Sequence, residues 1–442
     1  MAICFTSISC TSTRSLKLDN PYRVDLESDD IGKVTFYMDY VEEEDGFELF
    51  SPKNTDKKLF GSAKAFLGRI FGANMHKGSL LYVKGESQGD RITGTATSPL
   101  GILDFEGELV DGNLSGSLTR KGKDYASITG KRAVTITDIR DYDLLVNKVL
   151  KVTEDRIYDK NMVHHPDWKK FKKKLLKKTA DVKDDLELVS LFHYMSKELP
   201  FSHYALLNYD FTPKFDLKEV TLEELNERTV LLTIPSFNTD VDALDQLLDM
   251  IYKKQYENLI IDLRKNTGGN IESSYLLGAF LIEQPLVAGH FLTQDWFQQH
   301  QGVPNKDNIK DLRILDKGDL QLLRDGINNS QGVTLKILPD GRKYKGNVFI
   351  LTSNKTASAA EPLVFGLRET KLATVIGENT SGAMLSAEVI EIDDDYNLFL
   401  PIADYFTASG VRLEGKGVAP NIAVDSKEAL DMALEVSRKT TN

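Results

Sequence analysis

The chain has 442 residues, room for about three packed units, and its 31 Gly, 13 Pro and 41% hydrophobic residues exclude a disordered or collagenous chain. Lys and Arg number 55 against 66 Asp and Glu, leaving a net charge of -11 that excludes a general attraction to nucleic acid. Both cysteines, Cys4 and Cys10, fall in the first ten residues, so no disulfide framework or cysteine-rich metal centre holds the body of the chain.

The opening MAICFTSISC reads as the tail of an apolar signal segment, with Cys10 where a lipoprotein carries its lipid-accepting cysteine. On that reading residues 1–19 are a trimmed leader and linker, Cys10 is a membrane anchor, and the protein sits in a bacterial cell envelope. No run of about 20 apolar residues predicts a membrane-spanning helix.

Residues 20–133 alternate polar and apolar positions between Gly and Asp-Gly breaks, as in Lys33–Tyr40, Ser79–Lys84, Arg91–Ala96 and Leu114–Leu118. Period-two apolarity with such turns predicts antiparallel strands, hence an all-β domain, a meander or small barrel, with one short helix over Leu59–Phe71. Nothing in it looks catalytic.

Residues 134–228 change to helical spacing, with Tyr142, Leu144, Leu145, Val149 and Leu150, then Leu186, Leu188, Leu191, Phe192 and Met195 supplying apolar faces. Within this helical subdomain Trp168 to Lys178 sets seven lysines around Trp168, Phe171, Leu175 and Leu176. Such a helix lies on a membrane surface or presents a solvated lysine face.

Residues 229–442 alternate short apolar runs (Val230–Ile234, Leu259–Asp262, Val348–Thr352, Ala373–Ile376) with helical stretches (Val241–Lys254, Ile271–Ile282, Ala359–Glu369). The alternation predicts an α/β core on a largely parallel, covered sheet. Residues 286–345 are polar enough to read as an insertion that shapes substrate access.

Ser358 stands where a strand ends and small residues open a helix. There a serine hydroxyl is exposed as a nucleophile, with helix-start N–H groups placed to hold an oxyanion. The other use of a serine at that point is as helix N-cap, with Glu361 as its capping-box partner. Asp262-Leu-Arg-Lys-Asn-Thr-Gly-Gly269 is a second polar turn, closed by glycines whose N–H groups have no side chain in the way.

Taken in order, Asp262 to Gly269, Thr356 to Glu361 and Val375-Ile-Gly-Glu-Asn-Thr380 resemble the tail-specific, C-terminal processing and tricorn-core family of serine peptidases, over roughly residues 137–430. The resemblance implies a crotonase-like core of sheet-and-helix layers, peptide or protein substrates and no cofactor. It makes Ser358 the nucleophile, with oxyanion donors from Ala359 and from Gly268 or Gly269. One branch of the family activates its serine with a lysine after the Gly-Glu-x-Thr segment, where this chain has Ala383. The tricorn-like branch uses a histidine, a neighbouring serine and a late glutamate, which here match His203, Ser202 and Glu414.

His164 and His165 read as structural, and His76, His193, His290 and His300 stand at no metal-ligand spacing. Only 25 residues separate Tyr204 from Val230, too few for the PDZ domain that many of these peptidases carry. Two alternatives remain: a catalytically inactive relative that binds a peptide or an apolar ligand, and a β-domain adhesion or carbohydrate-binding module whose peptidase core is secondary.

Overall fold

Apolar residues at every second position from Pro21 to Arg132 give eight strands, β1–β8 (Pro21–Ser28, Gly32–Glu43, Gly46–Phe50, Tyr82–Gln88, Arg91–Ser98, Gly101–Val110, Asn113–Arg120 and Lys123–Arg132). They close into an antiparallel barrel in sequence order, β1 pairing back onto β8 with Leu26 opposite Ile128. Closure removes both sheet edges, and Val24, Phe36, Met38, Phe47, Phe105 and Ile128 are buried in its core. Asp111-Gly112 and Lys121-Gly122 turn two of the hairpins with positive φ at both residues, as tight two-residue loops require.

The computed structural model describes residues 20–28, 32–44, 46–51, 79–98, 101–133, 140–208, 217–300 and 302–440. Cys4, Cys10, His76 and the helix expected over Leu59–Phe71 lie outside the described residues.

Three helices follow the barrel, α1 (Tyr142–Arg156), α2 (Pro166–Thr179) and α3 (Asp185–Ser196), with a 3-10 turn at Lys160–His164 before α2. His165 is the N-cap of α2, its Nδ1 accepting from the Asp167 N–H at 3.3 Å. In the lysine-rich helix α2, Trp168, Phe171 and Leu175 are buried against Phe192, Phe201 and Tyr204. Lys170 and Lys174 pair with Glu198, and Lys172 with Glu154. The apolar face of α2 is consumed inside the protein, so the helix presents a solvated lysine face and not a membrane-binding one. Leu144, counted above with the apolar face of α1, points to solvent.

The α/β region runs β9 (Ala205–Asn208), β10 (Thr221–Asn226), β11 (Thr229–Thr233), α4 (Val241–Lys254), β12 (Asn258–Asp262), α5 (Ile271–Leu281), β13 (Leu286–Thr293), α6 (Gln294–Gln299), β14 (Arg313–Leu315) and α7 (Leu320–Asn329). It continues with β15 (Gly332–Ile337), β16 (Asn347–Thr352), α8 (Ala360–Glu369), β17 (Thr374–Gly377), β18 (Ser386–Asp393), β19 (Tyr396–Thr407), β20 (Ile422–Ala423) and α9 (Ala429–Thr440).

Two sheets result. The first has the order β10-β11-β12-β16-β17-β20, parallel except at the β10–β11 edge. Its strands read as continuous apolar runs because both faces are covered. Val230, Leu232, Leu259, Ile261, Ile350 and Val375 face the main core, while Leu231, Ile260, Phe349, Leu351 and Ile376 lie under α9. The second sheet has the order β14-β15-β13-β19-β18, with β9 also paired to β19. Phe291, Val333 and Tyr405 join the main core, and Tyr396, Leu398 and Leu400 pack on the helical unit.

The second sheet corrects one expectation. Residues 286–345 are not an insertion into the α/β unit, because β13, β14 and β15 are three of the strands of this sheet. Polar segments at 302–311 and 339–346 mask strands whose apolar residues, Phe291, Val333 and Ile337 among them, lie in the main core.

Candidate active site

Parallel strands β12, β16 and β17 all end on one edge of the first sheet, and each hands over to one of the three motif loops. Ligands of open α/β sheets gather at such carboxyl ends. Arg264 clamps Asp262 through Nε (2.9 Å) and Nη2 (2.7 Å), which fixes the exit of β12. The loops are then laced together. The Thr356 hydroxyl donates to Leu263 O (2.8 Å), the Ser353 hydroxyl to Arg264 O (2.5 Å), and the Ala357 N–H to Asn266 O (3.0 Å).

Ser358 has φ 55, a left-handed conformation rare for a residue with a side chain. It is not a helix cap: α8 starts at Ala360, and its N-cap residue, Ala359, makes no side-chain cap bond. Glu361 is fully buried and makes four bonds. Its Oε2 accepts from the N–H of Ser358 (3.0 Å) and of Ala383 (3.0 Å), and its Oε1 from the Thr380 hydroxyl (2.6 Å) and the Gly382 N–H (2.8 Å). Burial pushes the carboxyl above its ordinary range, and the four donors act in the opposite sense. Glu361 thereby ties the Ser358 turn to the segment where the other branch of the resembled family has its lysine.

The glycines beside Ser358 are required by space. A Cβ on Gly268 would lie 2.6 Å from Ser358 Cβ, and one on Gly269 would lie 2.5 Å from Asn238 N, with both residues at positive φ. The Gly268 N–H is already spent on Asn266 Oδ1 (2.8 Å), whereas the N–H groups of Gly269 and Ala359 make no bond among the described residues. Asn266 is fully buried and also donates from Nδ2 to Ile234 O (3.0 Å). It went unnoticed in the sequence, although it sits inside the Asp262–Gly269 motif.

Across the cavity, His203 also has a positive φ, 59. Glu414 reaches the neighbouring residue: Oε1 accepts from the Ser202 N–H (2.7 Å), and Oε2 accepts from the Ser202 hydroxyl (3.1 Å) and the Met384 N–H (2.7 Å). With the Ser202 hydroxyl donating to Glu414, its oxygen is left to accept from His203 Nδ1 at 2.6 Å. The Nε2 atom of His203 is left with a free lone pair. Burial lowers the pKa of the ring below the ordinary 6.5, with Glu414 opposing the shift, so the imidazole is neutral near pH 7. Behind Glu414, Arg412 bonds Asp404 Oδ2 (2.6 Å) and the Tyr158 hydroxyl (3.2 Å), which anchors the start of this loop.

Ser358, Ala359, Gly269 and His203 line one cavity of about 190 Å³. No hydrogen bond joins Ser358 to His203, although both line this cavity. Of the residues singled out in the sequence, Ser358, His203, Ser202, Glu414, Gly269 and Ala359 come together here, and Gly268 supplies packing with its N–H already engaged. Among the described residues no group of His, Cys, Asp or Glu could hold a metal ion.

Residues 228–424, which lie in the α/β core, match the model of peptidase family S41. The C-terminal processing peptidase, chloroplastic, of Tetradesmus obliquus is 25% identical over 205 residues, 46% of this chain and 36% of that protein. The carboxy-terminal processing protease CtpA of Bacillus subtilis is 25% identical over 232 residues, 52% of this chain and 42% of its own length. The chain thus spans well under half the length of these relatives. Among solved structures, a putative peptidase from Parabacteroides merdae aligns over 67% of this chain and 97% of its own, with TM-score 0.49 and 17% identity.

Proposed function

We propose that the protein hydrolyses peptide bonds through an acyl-enzyme on Ser358. The Ser358 hydroxyl attacks the carbonyl carbon while His203 Nε2 takes its proton. The carbonyl oxygen gains the negative charge, and the open N–H groups of Ala359 and Gly269 receive it, each worth about 3 kcal/mol of transition-state stabilisation. His203 then returns the proton to the leaving amine as the carbon–nitrogen bond breaks. Water repeats the sequence to release the acid.

One observation carries this reading: the hydrogen-bonded chain Glu414–Ser202–His203 ends at the cavity that His203 and Ser358 both line. The gap between the two side chains closes when substrate fills the mouth, as such contacts tighten in the Michaelis complex. Ala383 leaves no lysine to serve as base, which favours the tricorn-like branch. The interval between Tyr204 and Val230 holds β9 and β10, which belong to the two sheets, in keeping with a chain that lacks a PDZ domain there. The two sheets with helices between and outside them suit a crotonase-like arrangement.

Incubation with an unfolded protein such as reduced casein, followed by mass spectrometry of the fragments, tests the reading. Wild type is expected to release new termini and Ser358→Ala to release none. Equal fragmentation by both would refute it. An envelope location with Cys10 as lipid acceptor is part of the same proposal, supported by Ser7-Ile-Ser-Cys10. Incorporation of labelled palmitate in cells, lost in Cys10→Ser, checks it.

A further inference from the structure

The cavity beside Ser358 has a composition that reaches beyond the bond-breaking step. Its apolar walls include Tyr275 of α5, Phe291 of β13, Leu320 and Leu323 of α7, Ile337 of β15 and Leu363 of α8. No Asp, Glu, Lys or Arg lines it among the described residues. Two of the polar side chains in these walls are already engaged. Tyr275 donates its hydroxyl to Leu315 O (3.2 Å), and Ser274 donates to Ala359 O (2.9 Å).

Resting on the hydrolytic reading, we infer that this cavity receives the side chain on the acyl side of the cleaved bond, and that the enzyme selects a medium-sized apolar residue there: Leu, Met or Phe. Position supports the acyl side. Helix α8 begins just after Ser358, carries the Ala359 donor at its start, and forms a cavity wall with Pro362 and Leu363. With the carbonyl carbon on Ser358 and its oxygen at Ala359 and Gly269, the substituent next to that carbon is the group nearest the cavity. Size supports the class, because an apolar cavity of about 150 Å³ accepts a benzene ring and stays dry when empty. The space here, about 190 Å³, is of the size to take a Leu, Met or Phe side chain. A Lys, Arg, Asp or Glu side chain would surrender its hydration with no oppositely charged residue in the lining.

The experiment uses binding, so that it stands apart from turnover. Hexapeptides identical except for a C-terminal Phe, Leu, Ala, Arg or Glu mimic the acyl product and fix its register, and calorimetry on Ser358→Ala measures their affinities. Peptides ending in Phe or Leu are expected to bind at least about 10-fold more tightly than those ending in Arg or Glu. Adding Ala288→Leu, which fills the cavity from β13, is expected to weaken the Phe peptide about 10-fold or more and leave the Ala peptide within about 3-fold. Equal affinities, a preference for Arg or Glu, or indifference of the Phe peptide to Ala288→Leu would overturn the inference. Wild-type cleavage of longer peptides with the same residues is scored separately. Intact peptides alongside the expected ranking refute hydrolysis while the pocket's preference holds.

Discussion

The barrel and the α/β core handle awkward backbone in opposite ways. Among the described residues of the barrel, the non-glycine residues with positive φ are Asp111 and Lys121, each followed by glycine in a hairpin turn whose geometry demands it. Among those of the rest of the chain, Gln255 and Lys371 stand at helix ends, and the other two are His203 and Ser358, which line one cavity. The same conformation is a local convenience in one region. In the other, distant segments take part: Thr380 and Ala383 hold Glu361, which bonds the Ser358 N–H, and Glu414 bonds Ser202 beside His203. A strained residue over-determined by its surroundings marks a working site; one explained by its own turn does not.

The contrast can be broken in stages. The largest effect is expected from Ser358→Ala, which should lower kcat by about 10⁴-fold or more while leaving the circular dichroism spectrum and melting temperature near wild type. Glu361→Gln comes next. Whichever way its amide sits, two donors that now face a carboxylate oxygen will face an NH₂ group, so denaturant titration should show a loss of about 3 kcal/mol with a lower kcat. Gly268→Ala puts a methyl group against the nucleophile and should reduce kcat about 10- to 100-fold, with KM less affected.

The pH profile sharpens the comparison further. A protonated His203 cannot accept the serine proton, so kcat/KM should fall towards acid with a midpoint below 6.5 and be flat through neutrality. Glu414 holds the ring's pKa up, so Glu414→Gln should move that acid limb to still lower pH while slowing the reaction. The smallest effect belongs to the barrel. Lys121→Gly relieves a left-handed residue with nothing depending on it, and should stabilise the fold by up to about 1 kcal/mol with kcat unchanged.

Much of this was readable in the chain itself. Alternation announced the barrel strands, and the four apolar runs announced parallel strands β11, β12, β16 and β17, because a strand covered on both faces has no other way to look. Ser358 could be named as a candidate because three short motifs with distinct compositions occur in order, and His203, Ser202 and Glu414 through the branch of the resembled family that they match. Residues 286–345 were misjudged because local polarity weighs loops as heavily as strands, and Phe291, Val333 and Ile337 declare themselves only once the second sheet forms. Glu361 was visible as a capping partner, yet its bonds to Thr380, Gly382 and Ala383 join residues about 20 apart by a path that no periodicity encodes. Asn266 was hidden for the same reason, its work being done on backbone atoms.

The central claim is that His203 activates Ser358. Labelling with a fluorophosphonate, with the adduct mapped by mass spectrometry, tests it most directly. The expected result is stoichiometric modification of Ser358 in wild type, slowed by at least about 10³-fold in His203→Ala. Failure of wild type to label, or labelling of Ser358 at the same rate without His203, would contradict it.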